Sequence, residues 1–353
     1  MGGLSWAELT RRRAIPGAGV FLAMTRRCPL HCAHCSTAST MKSPQSDDDY
    51  YRRFVGTFSK ANHPEVVWFS GGEPILRHKL VRELASECQE LGATTVITTG
   101  LYFGRTGRIA APIWKTLETM DFVTVSVDSW HEEEVPRERS FACFEQMLER
   151  GMSVGLQATG RDENDPYLQA LIPNVQERFG DQIGIYVALL KPTGRALALI
   201  DPLSPVQHDP DDGRPAPQGC GGLSWPVFGF GDHVANACCN QEAMDTRPDH
   251  LNLPLDWQQI TRSLQNDPVL RVINVLGPRV LAYEHDGTQS PDQDYCTKCQ
   301  SLANRENLNQ TAATILARSS WPILEAVTSA LRVEAGDPTL GQRKYANYAE
   351  WGV

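Results

Sequence analysis

The chain has 353 residues, enough for two or three domains or one large α/β domain with an attachment. At 41% apolar residues it can bury a core, while 33 basic against 42 acidic residues, a net charge of −9, speak against a nucleic-acid backbone as main partner. No window approaches 18 uninterrupted apolar residues and the N-terminus lacks a hydrophobic h-region, so neither a transmembrane helix nor a signal peptide is expected.

Residues 1–17 read as an N-terminal arm. Gly2 stands where myristoylation needs it, but Trp6 occupies the position that wants Ser or Thr, and Arg11-Arg12-Arg13 read as solvated surface. Residues 19–25 predict a first strand feeding the loop CPLHCAHC. From Ser46 the period changes, and Tyr51, Phe54, Val55 and Phe58 mark an amphipathic helix whose positive end meets Asp47-Asp48-Asp49. A strand over Glu65–Phe69 breaks at Gly71-Gly72. A helix through Leu80, Leu84, Cys88 and Leu91 follows, then the strand TTVITTG. The alternation continues with a helix near 107–119, a strand Phe122–Val127, and a helix carrying Phe141, Phe144, Met147 and Leu148. A strand near 152–158, a helix near 165–179 and a strand Gly184–Leu190 complete six strand–helix units. Such alternation implies right-handed crossovers and a parallel sheet.

From about 200 to 220 the chain is rich in Pro, Asp and Gly and reads as a linker or a loop over the sheet's mouth. Beyond it, GGLSWPVFGFGDHVANACCN suggests a hairpin, with helices expected near 256–265 and 268–275. The pair Cys296/Cys299 in CTKC comes next, then one amphipathic terminal helix through Ile315, Leu324, Val327 and Leu331. Tyr345, Tyr348 and Trp351 make the last residues too aromatic for a plain disordered tail; a tail foreign to the natural protein is the other reading.

Cys28, Cys32 and Cys35 form a CxxxCxxC array, a spacing that lets three thiolates take three corners of an iron–sulfur cube. Three ligands leave one iron open to bind a substrate or cosubstrate, whereas a fourth would close the cube. A zinc knuckle, a disulfide with an odd thiol, or chance are the other readings. Ten cysteines in a chain without an export signal point to metal and to a reducing, cytoplasmic compartment. Cys88 on an apolar helical stripe and Cys143 within a helix read as buried core. Cys220, Cys238, Cys239, Cys296 and Cys299 lie in a Gly- and Pro-rich stretch, where two distant thiols plus a CxxC suit a four-iron, four-sulfur cluster or a zinc equally.

CxxxCxxC directly after a strand resembles the signature of the radical S-adenosylmethionine (SAM) superfamily, and Gly71-Gly72-Glu73-Pro74 is similar to its GGEP motif in full. The resemblance covers roughly residues 18–305. One departure is His34, where the family usually has an aromatic before the third cysteine. The resemblance implies an α/β fold: a partial (β/α)6 radical SAM barrel over 18–200, then a linker and auxiliary iron–sulfur domain over 201–310, and a helix and tail over 311–353. It also implies that Cys28, Cys32 and Cys35 hold a four-iron, four-sulfur cluster whose open iron chelates SAM, reductive cleavage yielding a 5′-deoxyadenosyl radical. Ligands of parallel α/β folds bind at the carboxyl ends of the strands, where the polar residues fall. By resemblance, SAM contacts are Gly71, Gly72, Glu73 and Pro74, Thr99 in a Thr-Gly that replaces Asn-Gly, Ser126 and Asp128 of an S-x-D segment, Gln157, and Arg195 of P-x-G-R, reaching the SAM carboxylate. The bland readings are an ordinary turn for GGEP and a helix cap for Asp128.

Linked to such a barrel, the later cysteines resemble the SPASM and shortened Twitch auxiliary domains. Five fit the one-cluster form, with Cys220, Cys238, Cys296 and Cys299 as ligands. Neighbours in an extended segment point oppositely, so Cys239 becomes a free thiol near the cluster, packed or acting as a hydrogen donor. The expected function is hydrogen abstraction from an unactivated carbon in natural-product biosynthesis, foremost crosslinking, oxidation or epimerisation of a ribosomal peptide. With about 17 residues before the first strand, no leader-binding domain is expected to be fused, which implies a separate recognition protein, and an electron donor such as flavodoxin or ferredoxin. A dehydrogenase or epimerase of a small molecule such as an aminoglycoside is the alternative, which Asp209, Asp211 and Asp212 would suit if the substrate is cationic. A non-catalytic iron–sulfur redox protein is a third, disfavoured because an electron carrier needs no GGEP.

Overall fold

The structure, a computed structural model, describes residues 5–13, 15–162, 164–190, 193–199, 219–229, 235–238, 249–287, 295–302 and 306–335. The acidic stretch with Asp209, Asp211 and Asp212, Cys239, Lys191-Pro192 and the aromatic tail lie outside those residues.

Six strands alternate with helices in the order anticipated. They are β1 (Gly19–Ala23), β2 (Val66–Ser70), β3 (Thr94–Thr99), β4 (Phe122–Ser126), β5 (Val154–Gly160) and β6 (Ile183–Leu189). Between them run α2 (Asp48–Val55), α3 (His78–Leu91), α4 (Ala111–Leu117), the short α5 (Ser129–Glu132), α6 (Arg137–Glu149) and α7 (Pro166–Phe179). All six pair in parallel in the order β6-β5-β4-β3-β2-β1, and among the described residues β6 pairs only with β5, so the sheet stays open. This is the partial barrel of a mixed α/β fold. Each strand alternates two buried faces: Val67, Phe69, Ile97 and Val123 pack under the helices, Val66, Trp68, Val96 and Phe122 on the concave side.

The concave side is plugged from below. The arm forms α1 (Trp6–Arg13), not a loose lead, and buries Trp6 to 2% exposure, stacked on Tyr186 with ring centroids 4.9 Å apart and edge-on to Phe122. Gly155 of β5 makes the room, since a Cβ there would lie 2.3 Å from the Trp6 ring nitrogen. Arg13, expected on solvated surface, sits over the Phe21 ring at 4.4 Å. Above the plug the concave wall turns polar: the Trp68 indole donates to Thr98 Oγ1 (2.7 Å), which lies 2.8 Å from Thr124 Oγ1. Filled below and polar above, the concavity has its open end at the carboxyl ends of the strands.

The later segment continues the same sheet. β7 (Val227–Phe228) pairs in parallel with β1, and β8 (Ala235–Asn236) and β9 (Asn252–Leu253) follow antiparallel, giving nine strands. The hairpin thus satisfies the edge of β1 as well as itself, which hydropathy cannot reveal. α8 (Trp257–Asn266) and α9 (Pro268–Val275) stand where expected; α10 (Pro278–Asp286) was not anticipated, and α11 (Tyr295–Gln300) carries CTKC. The terminal helix is two helices, α12 (Leu308–Leu316) and α13 (Trp321–Ala335). They break ahead of Pro322, whose ring disfavours helical geometry before it and suits a first turn.

Candidate active site

Three segments converge at the carboxyl end of the sheet. The first is the loop after β1, carrying Cys28, Cys32 and Cys35. The Cys35 amide donates to the Cys32 carbonyl (3.1 Å) and the Cys28 amide to the Thr40 carbonyl (3.3 Å), closing the loop on itself. Burial pushes the Cys28 thiol up to about 12, with Glu73, Cys32 and Cys35 adding to it, so the three sulfurs sense one another. At Cys35 burial is outweighed by hydrogen bonds from Thr37 and Ser39 and by Arg195, and its pKa falls. A loop that brings three thiols together and supplies hydrogen-bond donors to one of them fits a metal cluster.

The second segment is GGEP after β2, laced to the first. The Gly72 amide donates to Thr25 O (2.6 Å) and the Glu73 amide to Arg27 O (2.9 Å). Gly71 has φ +129°, and a Cβ on Gly71 or Gly72 would lie 2.4 Å from the Thr25 or Arg27 carbonyl, so only glycine permits the approach. Glu73, fully buried, accepts from the Ile75 amide (3.1 Å) and the Gly100 amide (3.0 Å), with Thr99 Oγ1 at 2.9 Å from both its oxygens. Burial outweighs those bonds and the charge of His131, raising its pKa to about 7. Glu73 and Thr99 therefore lock the ends of β2 and β3 together. Arg77, which the sequence reading missed, continues the strap by donating to Met24 O (2.7 Å) and pairing with Asp48 of α2.

The third segment follows β4. Asp128 is 1% exposed and caps α5 through Oδ1, accepting from the Trp130 and His131 amides at 3.1 Å each. Its Oδ2 faces His131 Nδ1 at 2.9 Å and His34 Nε2 at 3.3 Å. Those histidines hold Asp128 well below the usual carboxylate range despite its burial. His34 stacks on Trp130 with centroids 4.6 Å apart, so this histidine packs as an aromatic ring would. Among the described residues, His34, Asp128 and His131 form the one triplet whose ligand atoms all lie within 4.8 Å.

Arg195, expected to reach the SAM carboxylate, braces the cysteine loop: Nε donates to Cys32 O (3.0 Å), a terminal nitrogen to Ser39 O (2.8 Å), and its amide to Cys35 O (3.0 Å). Ser126 and Gln157 are register partners on β4 and β5, two residues above Thr124 on the polar concave face. Arg137, at the start of α6, pairs with Glu132. Cys88 and Cys143 are fully buried, as core.

A second group of thiols sits in the later segment. The Cys220 amide bonds to Ile273 O (3.0 Å) beside α9, and Cys238 follows β8 with its amide on Asn236 Oδ1 (2.8 Å). Cys299 on α11 is 8% exposed; burial pushes its thiol well up, with Cys220 and Cys296 contributing. His250, missed in the sequence, places Nε2 4.0 Å from Cys299 Sγ. Cys239, the expected hydrogen donor, lies outside the described residues.

The model of the Radical SAM superfamily matches residues 22–171. The pre-heme d1 synthase of Dinoroseobacter shibae is 27% identical over 175 residues, 45% of this chain and 41% of that protein. The putative peptide biosynthesis protein YydG of Bacillus subtilis is 24% identical over 115 residues, 32% of this chain and 36% of that protein. A PqqA peptide cyclase of Rhodopseudomonas palustris is 35% identical over 95 residues, 26% of this chain and 24% of that protein. Each match spans less than half the length of the curated relative.

Proposed function

We propose that this chain, whose residues 22–171 match the Radical SAM superfamily, is a radical SAM enzyme that matures a ribosomally made peptide by crosslinking, oxidation or epimerisation. The observation that carries the proposal is the convergence of Cys28, Cys32 and Cys35 on one loop hydrogen-bonded to the GGEP turn. With a four-iron, four-sulfur cluster and SAM bound, reductive cleavage supplies a 5′-deoxyadenosyl radical able to abstract hydrogen from unactivated carbon.

The residues divide the remaining work. Cys28, Cys32 and Cys35 hold the cluster, and Arg195 fixes their loop by its carbonyls. The backbone of Gly71–Pro74 receives the methionyl group, while Glu73 and Thr99, spent on each other, hold that backbone in place. Ser126 and Gln157, on the concave wall, take the adenosine. Asp128 acts through His34 and His131 rather than by direct contact, since both its oxygens are engaged. The Trp6 plug keeps water from entering below.

Cys220, Cys238, Cys296 and Cys299 are proposed to hold one auxiliary four-iron cluster in a Twitch-like segment, with Cys239 as a neighbouring thiol. Two relatives are named for peptides, which supports a peptide substrate. The relative named a pre-heme d1 synthase supports the second reading, a small molecule. A separate leader-recognition protein and a flavodoxin or ferredoxin complete the proposal, with action in the cytoplasm; no helix among the described residues is long and apolar enough to cross a membrane. Anaerobically reconstituted protein reduced with dithionite should release 5′-deoxyadenosine from SAM. Its absence from a protein loaded with iron overturns the proposal.

A further inference from the structure

The carboxyl end of β5 carries a cation with no role in the reading above. We propose that Arg161 determines substrate specificity: held over the Trp130 ring beside the cysteine loop, it receives a carboxylate of the substrate, from an acidic side chain or the C-terminus of a peptide. The inference rests on the reading of the substrate as a peptide.

β5 ends at Gly160, so Arg161 is the first residue beyond the strand, at the edge of the sheet where the site forms. Its backbone is fixed there. The Arg161 amide donates to Asp165 Oδ2 (2.7 Å), and Asp165 Oδ1 caps α7 by accepting from the Tyr167 amide (2.8 Å). From this base the exposed side chain sets its Cζ 5.6 Å from the Trp130 ring centroid. Trp130 is buried and stacks in turn on His34, between the second and third cysteines. Two ring contacts thus separate the guanidinium from the cysteine loop.

Arg105 after β3, Arg137 after β4 and Arg195 after β6 are committed. Arg105 pairs with Glu134 (2.7 Å), Arg137 with Glu132, and Arg195 with the carbonyls of the cysteine loop. Arg161 has no acidic partner among the described residues. Of the acids in its own turn, Asp165 accepts from two amides and Asp162 Oδ1 from the Asn164 amide (2.6 Å). A guanidinium held against a ring keeps its planar N–H fork for a carboxylate, and ordering it beforehand lowers the entropy lost on binding. The surroundings of Trp130 are apolar: half-buried Leu190 and Leu199 pack on its cluster, and Leu197, on the same short turn as Leu199, is 58% exposed. One available cation amid apolar groups suits an acidic residue flanked by apolar ones. Charge-assisted pairing of this kind changes affinity by about ten- to a hundredfold.

The test is a selection on the reconstituted full chain in the presence of SAM. Random decapeptides are displayed in two libraries, one with a blocked and one with a free C-terminus, against wild type, Arg161→Gln and Arg161→Glu. Wild type should enrich Asp or Glu at one position of the blocked library, which identifies a side chain, or enrich peptides only where the C-terminus is free, which identifies the terminus. Arg161→Gln should lose that enrichment and bind the peptides selected by wild type about tenfold or more weakly. Arg161→Glu should turn the preference towards Lys or Arg, a reversal that only a folded protein reading charge at this position can give. Pools of the same composition from wild type and Arg161→Gln overturn the inference, as does a wild-type pool indifferent to carboxylates or the absence of any enriched pool. If Arg161→Gln instead weakens the binding of SAM in equilibrium dialysis and leaves the peptide pool unchanged, the guanidinium serves the SAM carboxylate and the inference falls. Wild type that releases no 5′-deoxyadenosine sinks the functional reading together with this one, whereas SAM cleavage with peptide pools indifferent to Arg161 sinks this one alone.

Discussion

Glu73→Gln separates the two things that the buried carboxylate does. Glu73 is fully buried and its pKa rises from 4.5 to about 7 because burial disfavours the charge. The folded protein therefore holds this proton more tightly than the unfolded chain. The stability this confers is complete below about 4.5 and is lost as pH climbs through 7, a loss of about 3 kcal/mol once the carboxylate is charged. Glutamine stays neutral and escapes that loss. Its NH2, however, must face either the Ile75 amide or the Gly100 amide, each of which now donates to one Glu73 oxygen. A buried donor without an acceptor costs about 1–3 kcal/mol. In urea unfolding of the reduced, metal-free protein, the variant should be less stable than wild type at pH 5, with the gap closing or reversing by pH 8. The swing between the two pH values should be about 2–3 kcal/mol. A gap of the same size at both pH values would refute a Glu73 that changes charge in the folded state.

Further outcomes are expected. Replacing Cys28, Cys32 and Cys35 together by alanine should abolish 5′-deoxyadenosine formation and remove about half the iron, the remainder being the auxiliary cluster; iron analysis beside product assay checks both. Arg195→Lys keeps the charge but cannot span the Cys32 and Ser39 carbonyls, and iron loss to a chelator should quicken by about tenfold or more. Trp6→Ala removes the plug beneath the concave wall and should cost about 3–5 kcal/mol in urea unfolding. Cys239→Ala should leave the iron of both proposed clusters in place, and turnover in deuterium oxide then reports whether that thiol returns hydrogen to product.

The six strands and their helices were legible because their apolar residues recur at the periods of strands and helices, and the turns between them are marked by Gly, Pro and Asp. The CxxxCxxC loop and GGEP were legible for a different reason: iron ligation needs thiols at short spacing, and a backbone approaching within 2.4 Å of a would-be Cβ needs glycine. The sequence alone thus determined the sheet, its parallel sense and the end at which the site forms. Side-chain destinations across the sheet were not legible. Arg195 and Cys32 are 163 residues apart, and nothing in either neighbourhood tells that the guanidinium meets the loop's carbonyls. Asp128 showed as a cap or a ligand contact, but its second oxygen meets two histidines only after α5 turns one of them back and the cysteine loop delivers the other. Trp6 had no periodic partner, and it became core because Gly155 left a vacancy on a strand far along the chain. His250 comes within 4.0 Å of Cys299 Sγ across 49 residues of sequence, a meeting that no local pattern announces. Periodicity is a local property, readable within a dozen residues, whereas hydrogen-bond partners and ring contacts depend on which strand lies beside which, and that is settled only when the whole open sheet has formed around its plug.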